Sequence, residues 1–475
     1  MKNSKLAAIG NFLGYHQKTI RSIQWIIILL YAFLIIVPAF LPLPNDSATI
    51  IHNLTVFAQF IFWGIWWPFV LLSIILFGRL WCGVLCPEGA LSELANRYGK
   101  KRTIPRWLKW GGWPFVSFSI TTIYGQLTSV YQYPKPVLLI LGGSTIAAII
   151  IGFIYGKSNR IWCKYLCPVT GVFAALAKLA PHSFKPNRHE WRIYEGPTTS
   201  VNCPTILPIR TMNSNSECLM CGKCSNHREA IHLTKRSPNK EIVKYGKTEQ
   251  SIWQSILIIF GLCGFAMAAF QWPNSFWLMH LRDIVESWFL SHNIMWVFNT
   301  NAPWWVFTNY PQNNDVFTWI FGFELIFYIV GIGFILGLSI TILIVIALSI
   351  MGNLNKTSFN HLSQALIPLG ACCVFIGLLS NTFVILEKYA NIGFTWTYTL
   401  RAILLTLATL WSLYLARKII RQYSTSFYKR KISLFIMLLT FLLINYSWFL
   451  VLHVWTLKSD SIPWNTLWVA FKLVN

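Results

Sequence analysis

Charged residues are scarce in this sequence. Asp, Glu, Lys and Arg make up 11% of its 475 residues, and apolar residues make up 55%. Soluble globular proteins contain about 25% charged residues. So few charges cannot cover the surface that a water-soluble protein of this length exposes. The composition therefore excludes a soluble globular protein and indicates a chain that lies mostly in lipid.

Acidic residues are the scarcest of the charged types. The chain has 15 Asp and Glu against 39 Lys and Arg, which gives a net charge of +24. In a soluble protein this excess would suggest nucleic-acid binding. Here the basic residues are concentrated in particular loops, so orientation in a membrane explains them better and we predict no nucleic-acid partner. Acidic residues within the apolar segments are few, with Glu324 the main example, which argues against a transporter.

Long apolar segments dominate the rest of the sequence. About 20 apolar residues are needed to cross a bilayer as a helix. The sequence predicts an all-α polytopic membrane protein with about nine transmembrane helices, in contact with membrane lipid, at residues 24–41, 54–77, 111–130, 137–155, 252–272, 320–350, 362–386, 401–416 and 432–455.

The loops between these segments differ in charge. If the segments alternate across the membrane, one side carries 33 of the 39 Lys and Arg residues. Because basic loops stay on the cytoplasmic side, we expect the N-terminus in the cytoplasm and the chain in a bacterial cytoplasmic (inner) membrane. The first apolar segment lacks a clear small-residue cleavage site, so we interpret it as a span and not as a cleaved signal peptide.

One nine-residue motif occurs twice. RLWCGVLCP at 79–87 returns as RIWCKYLCP at 160–168, and each copy follows an apolar segment. Short surface helices are expected after the motifs, at Glu88–Tyr98 and Val169–Leu179. We expect Trp81 and Trp162 at the lipid–water boundary. The pattern predicts three regions: a transmembrane hairpin repeat (1–180), a cytoplasmic ferredoxin-like cysteine region held by metal and not by a core (181–251), and a C-terminal transmembrane bundle with a Trp-rich outer loop (252–475).

Eight of the eleven cysteines lie on the predicted cytoplasmic face. Cys263, Cys372 and Cys373 lie within apolar segments, where a cysteine behaves as a small hydrophobic residue. Disulfides are rare in the cytoplasm, so the other eight are interpreted as metal ligands or redox thiols. Since a [4Fe-4S] cluster takes four thiolates, they would fill two clusters; they are Cys82, Cys86, Cys163, Cys167, Cys203, Cys218, Cys221 and Cys224.

The third cysteine group is an incomplete ferredoxin run. Its C-x2-C-x2-C spacing begins the run C-x2-C-x2-C-x3-C-P, but Arg228 occupies the fourth cysteine position. The fourth ligand would come from Cys203 or from a Cys-Pro motif, and His227 is a further alternative. Two zinc sites with four cysteines each would also use eight thiolates. The triple run and the paired Cys-Pro motifs fit iron–sulfur clusters better.

These motifs resemble those of the membrane polyferredoxins, which are 4Fe-4S binding membrane proteins related to the accessory ferredoxins of nitrate and nitrous-oxide reductases. The resemblance covers about residues 55–235. It implies that the two Cys-x3-Cys-Pro motifs and the run at 218–224 match the family's cluster-binding motifs. The family often has two complete ferredoxin runs, whereas this chain has one truncated run, so the number of clusters stays open.

The resemblance and the cysteines together predict an electron-transfer component of an oxidoreductase system. Electrons would pass from a cytoplasmic donor or quinol to an acceptor in the membrane or on its outer side. The expected partner is a redox protein or a quinone, with an outer-side acceptor protein or a metal permease as further candidates. Two alternatives stay open: an iron–sulfur assembly or regulatory membrane protein, and a reductase partner of a metal-ion permease.

Overall fold

A computed structural model describes residues 4–451, except 46, 158, 199, 248–250 and 395. The fold is helical, as predicted. Within the described part of the chain, eight helices are long and apolar enough to cross a membrane, and the expectation of a multi-pass membrane protein is confirmed. They are Gln17–Phe40, Leu54–Phe77, Pro134–Tyr155, Ile252–Asn274, Trp319–Met351, Lys356–Ala390, Thr397–Tyr423 and Phe427–Phe449.

The count of nine spans is not confirmed. The third predicted span, 111–130, corresponds to a helix of 15 residues, Trp113–Leu127. At 1.5 Å per residue this helix is about 22 Å long, which is less than the roughly 30 Å hydrocarbon core of a bilayer. It begins with Pro114 in its first turn, where a missing N–H is tolerated, and it ends at a turn in which Ser129 has a positive φ. The end of the ninth predicted span, 432–455, lies outside the described residues.

Shorter elements connect the long helices. The helices expected after the two motifs are present as Pro87–Arg97 and Thr170–Leu176, and a helix at Phe276–Ser291 lies in the Trp-rich loop. Other short helices are Lys5–Tyr15, Ile161–Tyr165 and Arg188–Ile193. Wide π-helical turns occur at Phe60–Trp66, Trp81–Leu85, Leu138–Gly142, Glu241–Tyr245 and Leu257–Ala266.

The C-terminal helices share one large apolar core, which includes Cys263 and Cys373 as buried side chains. At one crossing the backbones come close enough to require glycine. A Cβ atom added at Gly264 would lie 2.5 Å from the carbonyl oxygen of Gly333. Cys263 and Cys373 pack within this apolar core, which agrees with the interpretation of them as small hydrophobic residues.

The region at 181–251 has more structure than we expected. Its strands His182–Pro186 and Ile231–Lys235 pair antiparallel, with Phe184 opposite Leu233. A small apolar core forms around this pair. The expectation that metal alone would hold the region is therefore wrong, because the strand pair buries its own apolar side chains. A second two-stranded sheet among the described residues consists of Asn309–Tyr310 and Asp315–Val316.

Candidate metal centre

Four of the predicted cysteines meet at one cavity, which we call site A: Cys82, Cys86, Cys163 and Cys167. The first motif forms a π-helical turn at Trp81–Leu85, and the second forms the short helix Ile161–Tyr165. Helix Pro87–Arg97 starts directly after Cys86, with proline in its first turn. The two copies of the motif thus face each other and together supply four thiols.

Each motif arginine donates a hydrogen bond to the opposite copy of the motif. Arg79 of the first copy donates from Nη2 to the carbonyl oxygen of Cys163 at 3.4 Å and to Thr170 Oγ1 at 2.8 Å. Arg160 of the second copy donates from Nη1 to the carbonyl oxygen of Cys82 at 2.5 Å. Both arginines are buried. Their burial beside the cysteines suits the stabilisation of anionic thiolates.

The other four predicted cysteines line a second pocket, which we call site B: Cys203, Cys218, Cys221 and Cys224. The tight loop depends on positive φ at Gly222 (75°) and at Met220 (53°). Cys203 lines the same pocket as the three cysteines of the incomplete run, so it lies where the fourth ligand of that run is needed. Neither His227 nor Arg228 lines this pocket. They face Trp191 instead, with the His227 ring 5.2 Å and the Arg228 guanidinium 5.1 Å from its rings.

Sites A and B adjoin each other through Gly83, the residue after Cys82. A Cβ atom at Gly83 would lie 2.1 Å from the carbonyl oxygen of Leu219 and 3.1 Å from the backbone nitrogen of Cys221. The first motif therefore packs directly on the loop of site B. The second motif has Lys164 at the equivalent position, and its Nζ donates to the carbonyl oxygen of Thr205 at 2.8 Å.

A partly buried ion-pair network also links the sites. Glu93 accepts from Arg160 at 2.8 Å and from Lys223, which lies between two site B cysteines, at 2.7 Å. Burial alone would raise the pKa of Glu93, but the two cations outweigh it and lower the pKa to about 2. The carboxylate thus stays ionised and offsets two positive charges. We did not predict Glu93, although its presence in a basic, acid-poor segment was a usable signal.

The raised pKa values of the cysteine thiols indicate that the thiols ionise only beside a positively charged partner. Burial raises the pKa of Cys163 and of Cys218 to about 12, and nearby cysteines add to the rise in both. Burial likewise raises the pKa of Cys86, Cys167 and Cys224 well above the usual thiol range. Four buried thiolates are therefore favourable only around a cation that displaces their protons.

The residues of both sites can be compared with the needs of a cluster. Cysteine thiolates are the ligands that hold a [4Fe-4S] cluster, and each site supplies four of them. Among the described residues, no group of three His, Cys, Asp or Glu side chains is arranged to hold a single metal ion. The Nε of Arg79 is buried without a hydrogen-bond partner, and the Arg79 side chain interacts with Cys82. The residues at both sites therefore fit a [4Fe-4S] cluster.

Site A opens into an aromatic cavity of about 240 Å³. Apolar side chains from the spans line most of it, including Phe62, Trp63, Trp66 and Trp67. Trp81 is buried at this cavity, and Trp162 is buried in a separate cluster with Ala148. Neither side chain is therefore exposed to lipid in the way that we expected of a boundary tryptophan. The Trp81 ring packs edge-on against Trp66 at 5.2 Å.

One acidic side chain enters the aromatic cavity. Trp162 Nε1 donates to Glu88 at 2.9 Å, which gives that indole a polar partner inside the fold. Burial raises the pKa of Glu88 above its ordinary value. We did not predict a role for Glu88, which the sequence showed only as an acid directly after a Cys-Pro pair.

Comparison with known proteins agrees with the repeat. Residues 59–105 and 139–187 each match a 4Fe-4S binding domain. The provisionally named electron transport protein YccM of Escherichia coli is 25% identical over 43% of this chain and 65% of its own length. NirI of Paracoccus denitrificans is 28% identical over 33% of this chain and 26% of its own length. The regulatory protein NosR of Pseudomonas aeruginosa is 25% identical over 24% of this chain and 18% of its own length. No solved structure matches this chain.

The chain spans less than two thirds of the length of each of these three relatives. The two domain matches contain all four site A cysteines and end before site B. The predicted resemblance to the membrane polyferredoxins is thereby confirmed, and this chain is a multi-pass membrane protein in which each copy of the repeat matches a 4Fe-4S binding domain.

Proposed function

We propose that the chain binds two [4Fe-4S] clusters and passes electrons between a soluble partner and a quinone in the membrane. The observation that carries this proposal is the gathering of the eight predicted cysteines into two adjoining four-thiol sites. The names of the relatives support it, because YccM is named for electron transport. Each cluster would supply the ability to accept and release one electron at a time.

The two sites suit the two ends of an electron path. Cys203, Cys221 and Cys224 at site B are half-buried, as are Cys86 and Cys167 at site A, so neither site is fully enclosed. We take site B, in the extramembrane region 181–251, as the end that a soluble partner reaches. Site A instead opens into the aromatic cavity between the spans, which has the apolar lining that a quinone ring requires. Gly83 brings the two sites into contact. We infer that electrons enter or leave at site B and reach the quinone from site A.

The surrounding residues would set the electrostatics of both clusters. Arg79 and Arg160 place buried positive charge beside the thiolates, which stabilises the more reduced, more negative form and raises the potential. Glu93 moderates that effect by holding a negative charge between Arg160 and Lys223. The apolar side chains of the aromatic cavity would exclude water from the quinone side of site A.

We further propose that helix Trp113–Leu127 is a ninth crossing of the membrane. The first motif follows span Leu54–Phe77, and the second follows span Pro134–Tyr155. Both motifs line site A. The chain can return to the same face only if it crosses twice between them, and Trp113–Leu127 is the one helix between residues 100 and 133 that can supply the second crossing. The basic loops support a cytoplasmic location for both sites.

The decisive experiment measures iron and acid-labile sulfide in protein purified without oxygen, followed by EPR after reduction with dithionite. We expect about eight iron and eight sulfide per chain, since two [4Fe-4S] clusters contain that number. Cys82→Ala or Cys163→Ala should remove about half of the iron, while Cys372→Ala, a thiol inside a span, should leave it unchanged. Unchanged iron in both motif variants, or zinc without sulfide, would contradict the ligand assignment.

A second candidate function is redox sensing. One relative, NosR, is named a regulatory protein, and the same cysteines would serve a sensor. A stable cluster that short-chain quinols reduce or oxidise in repeated turnovers supports electron transfer. A cluster that oxygen destroys, together with a partner protein that binds only one cluster state, would support sensing instead.

A further inference from the structure

A second cavity, the polar cleft, lies between sites A and B. Its volume is about 670 Å³, which is within the usual range for small-molecule sites. It shares Arg79 and Thr170 with the aromatic cavity of site A, and it shares Leu207 and Met212 with the pocket of site B. A molecule bound in this cleft would therefore touch the walls of both proposed clusters.

The polar cleft carries positive charge. Lys109 and Lys164 line it together with the buried guanidinium of Arg79. Among the described residues that line the cleft, Glu217 is the one acidic side chain, and its carboxylate lies 3.6 Å from Lys164 Nζ. With three cations and one anion in the wall, the cleft favours a ligand that carries negative charge, such as a phosphate.

One wall of the cleft is apolar and closely packed. It consists of Pro114, Gly171, Ala174 and Leu257, and a Cβ atom added at Gly171 would lie 2.9 Å from Pro114 and 3.1 Å from Leu257. Pro114 and Leu257 are thus packed closely against Gly171 at this wall. A wall of small side chains offers a flat surface to a planar ring.

Two tryptophans complete the same side of the cleft. Trp110 and Trp253 meet edge to face, with ring centroids 4.8 Å apart. Their aromatic faces add apolar contact area beside the basic residues, so one ligand can use a ring and an anionic group together.

We propose that the polar cleft binds a small soluble electron carrier that combines a planar heteroaromatic ring with a phosphate, of the flavin mononucleotide class. This inference rests on the proposed function, because it names the soluble partner. Nicotinamide carriers deliver a hydride, whereas a flavin can also react in one-electron steps. The reduced flavin would give one electron to each of two oxidised [4Fe-4S] clusters, release two protons to water in the open cleft, and remain as oxidised flavin.

The test measures binding of flavin mononucleotide by equilibrium dialysis, using full-length protein in a neutral detergent. Riboflavin, which lacks the phosphate, should bind at least about tenfold more weakly. Lys164→Gln and Lys109→Gln should each weaken binding about tenfold, because each removes a charge-assisted contact to phosphate. Lys185→Gln is the matched control, since Lys185 is exposed and does not line the cleft.

Three outcomes would overturn the inference: no saturable binding, equal affinity for riboflavin, or unchanged affinity in both lysine variants. Saturable binding of NADH with exclusion of the flavin would contradict the assignment of the ring. Loss of flavin binding in nanodiscs that contain phosphatidylglycerol, but not in phosphatidylcholine nanodiscs, would assign the phosphate site to a lipid headgroup. Iron is measured on the same samples, so iron without flavin binding counts against the cleft alone, and flavin binding without iron counts against the clusters.

Discussion

At the scale of single residues, the arginine in each motif is as informative as the cysteines. Arg79 and Arg160 precede Cys82 and Cys163 by three positions, and each donates to the opposite copy of the motif. A guanidinium suits this role because it presents several donors in a fixed plane and stays charged when buried. The repeated arginine therefore joins the two halves of site A through direct hydrogen bonds.

Replacing Arg160 with glutamine should destabilise the protein strongly. The change leaves Lys223 as the cation that pairs with Glu93, whose side chain is 20% exposed, so the cost should approach the roughly 3–5 kcal/mol of breaking a fully buried ion pair. We expect a lower thermal unfolding midpoint in detergent and loss of iron from site A. Arg192→Gln, at an exposed arginine in helix Arg188–Ile193, should behave like the unmodified protein. An unchanged midpoint in Arg160→Gln would show that the network contributes little.

The low pKa of Glu93 predicts that the stability of the protein falls as the pH is lowered in the acidic range. Burial opposes ionisation, but Arg160 and Lys223 lower the folded pKa to about 2. A group with a depressed pKa contributes its stability above the unfolded value of about 4.3 and loses it as the pH falls toward the folded value. Between pH 4.5 and 2 the unmodified protein should therefore lose more stability than Glu93→Gln. Parallel losses in both proteins, followed by thermal unfolding across this range, would contradict the role of Glu93.

At the scale of elements, the contact between the first motif and the site B loop depends on a missing side chain. The π-helical turn Trp81–Leu85 brings Gly83 against the backbone of Leu219 and Cys221. Such widened turns recur at functional sites, where they redirect a side chain without ending the helix. The second motif forms an ordinary helical turn at Ile161–Tyr165 and carries Lys164 at this position, so the two copies of the repeat are not equivalent.

Gly83→Ala should separate the two sites. The added methyl group would meet the Leu219 carbonyl at 2.1 Å, so one backbone segment must move. We expect slower electron transfer between the clusters, measured by stopped-flow reoxidation with quinone, together with a loss of stability of about 1–3 kcal/mol. Gly331→Ala is the matched control because no atom lies within 4 Å of its added Cβ, and alanine favours the helix. Equal kinetics in both variants would refute the close contact.

At the scale of the whole molecule, the common position of the two motifs constrains the topology more than hydropathy does. Helix Trp113–Leu127 is too short to satisfy a length criterion, yet both motifs line site A. The C-terminal bundle also contacts the segment that follows the second motif: Lys178 donates to Gln254 at 2.7 Å and to Gln364 at 3.0 Å. The bundle thereby fixes the helix that follows the second motif.

Labelling in intact cells can test the ninth crossing. If Trp113–Leu127 crosses, Lys135→Cys lies outside and Arg106→Cys lies in the cytoplasm; both positions are exposed. A membrane-impermeant maleimide should then label Cys at 135 in intact cells and Cys at 106 only after permeabilisation, with labelling read by mass spectrometry. Equal labelling at both positions before permeabilisation would contradict the crossing.

The sequence by itself determined the class of the protein and its cofactor chemistry. The scarcity of charge and the long apolar segments are sufficient for a multi-pass membrane protein, because transfer into lipid depends mainly on composition. The spacing within the motifs indicated 4Fe-4S binding, because a cubane requires closely spaced thiolates. These properties are local, so they can be read from neighbouring residues along the chain.

The tertiary structure decided how the eight cysteines divide. Cys203 joins the run at 218–224, and the two Cys-Pro motifs join each other, although 77 positions separate Cys86 from Cys163. The same long-range packing buried Trp81 and Trp162, which local pattern had placed at the lipid boundary. It also created the polar cleft between the two sites. Such groupings depend on which helices pack together, and a single sequence does not encode that packing in any local spacing.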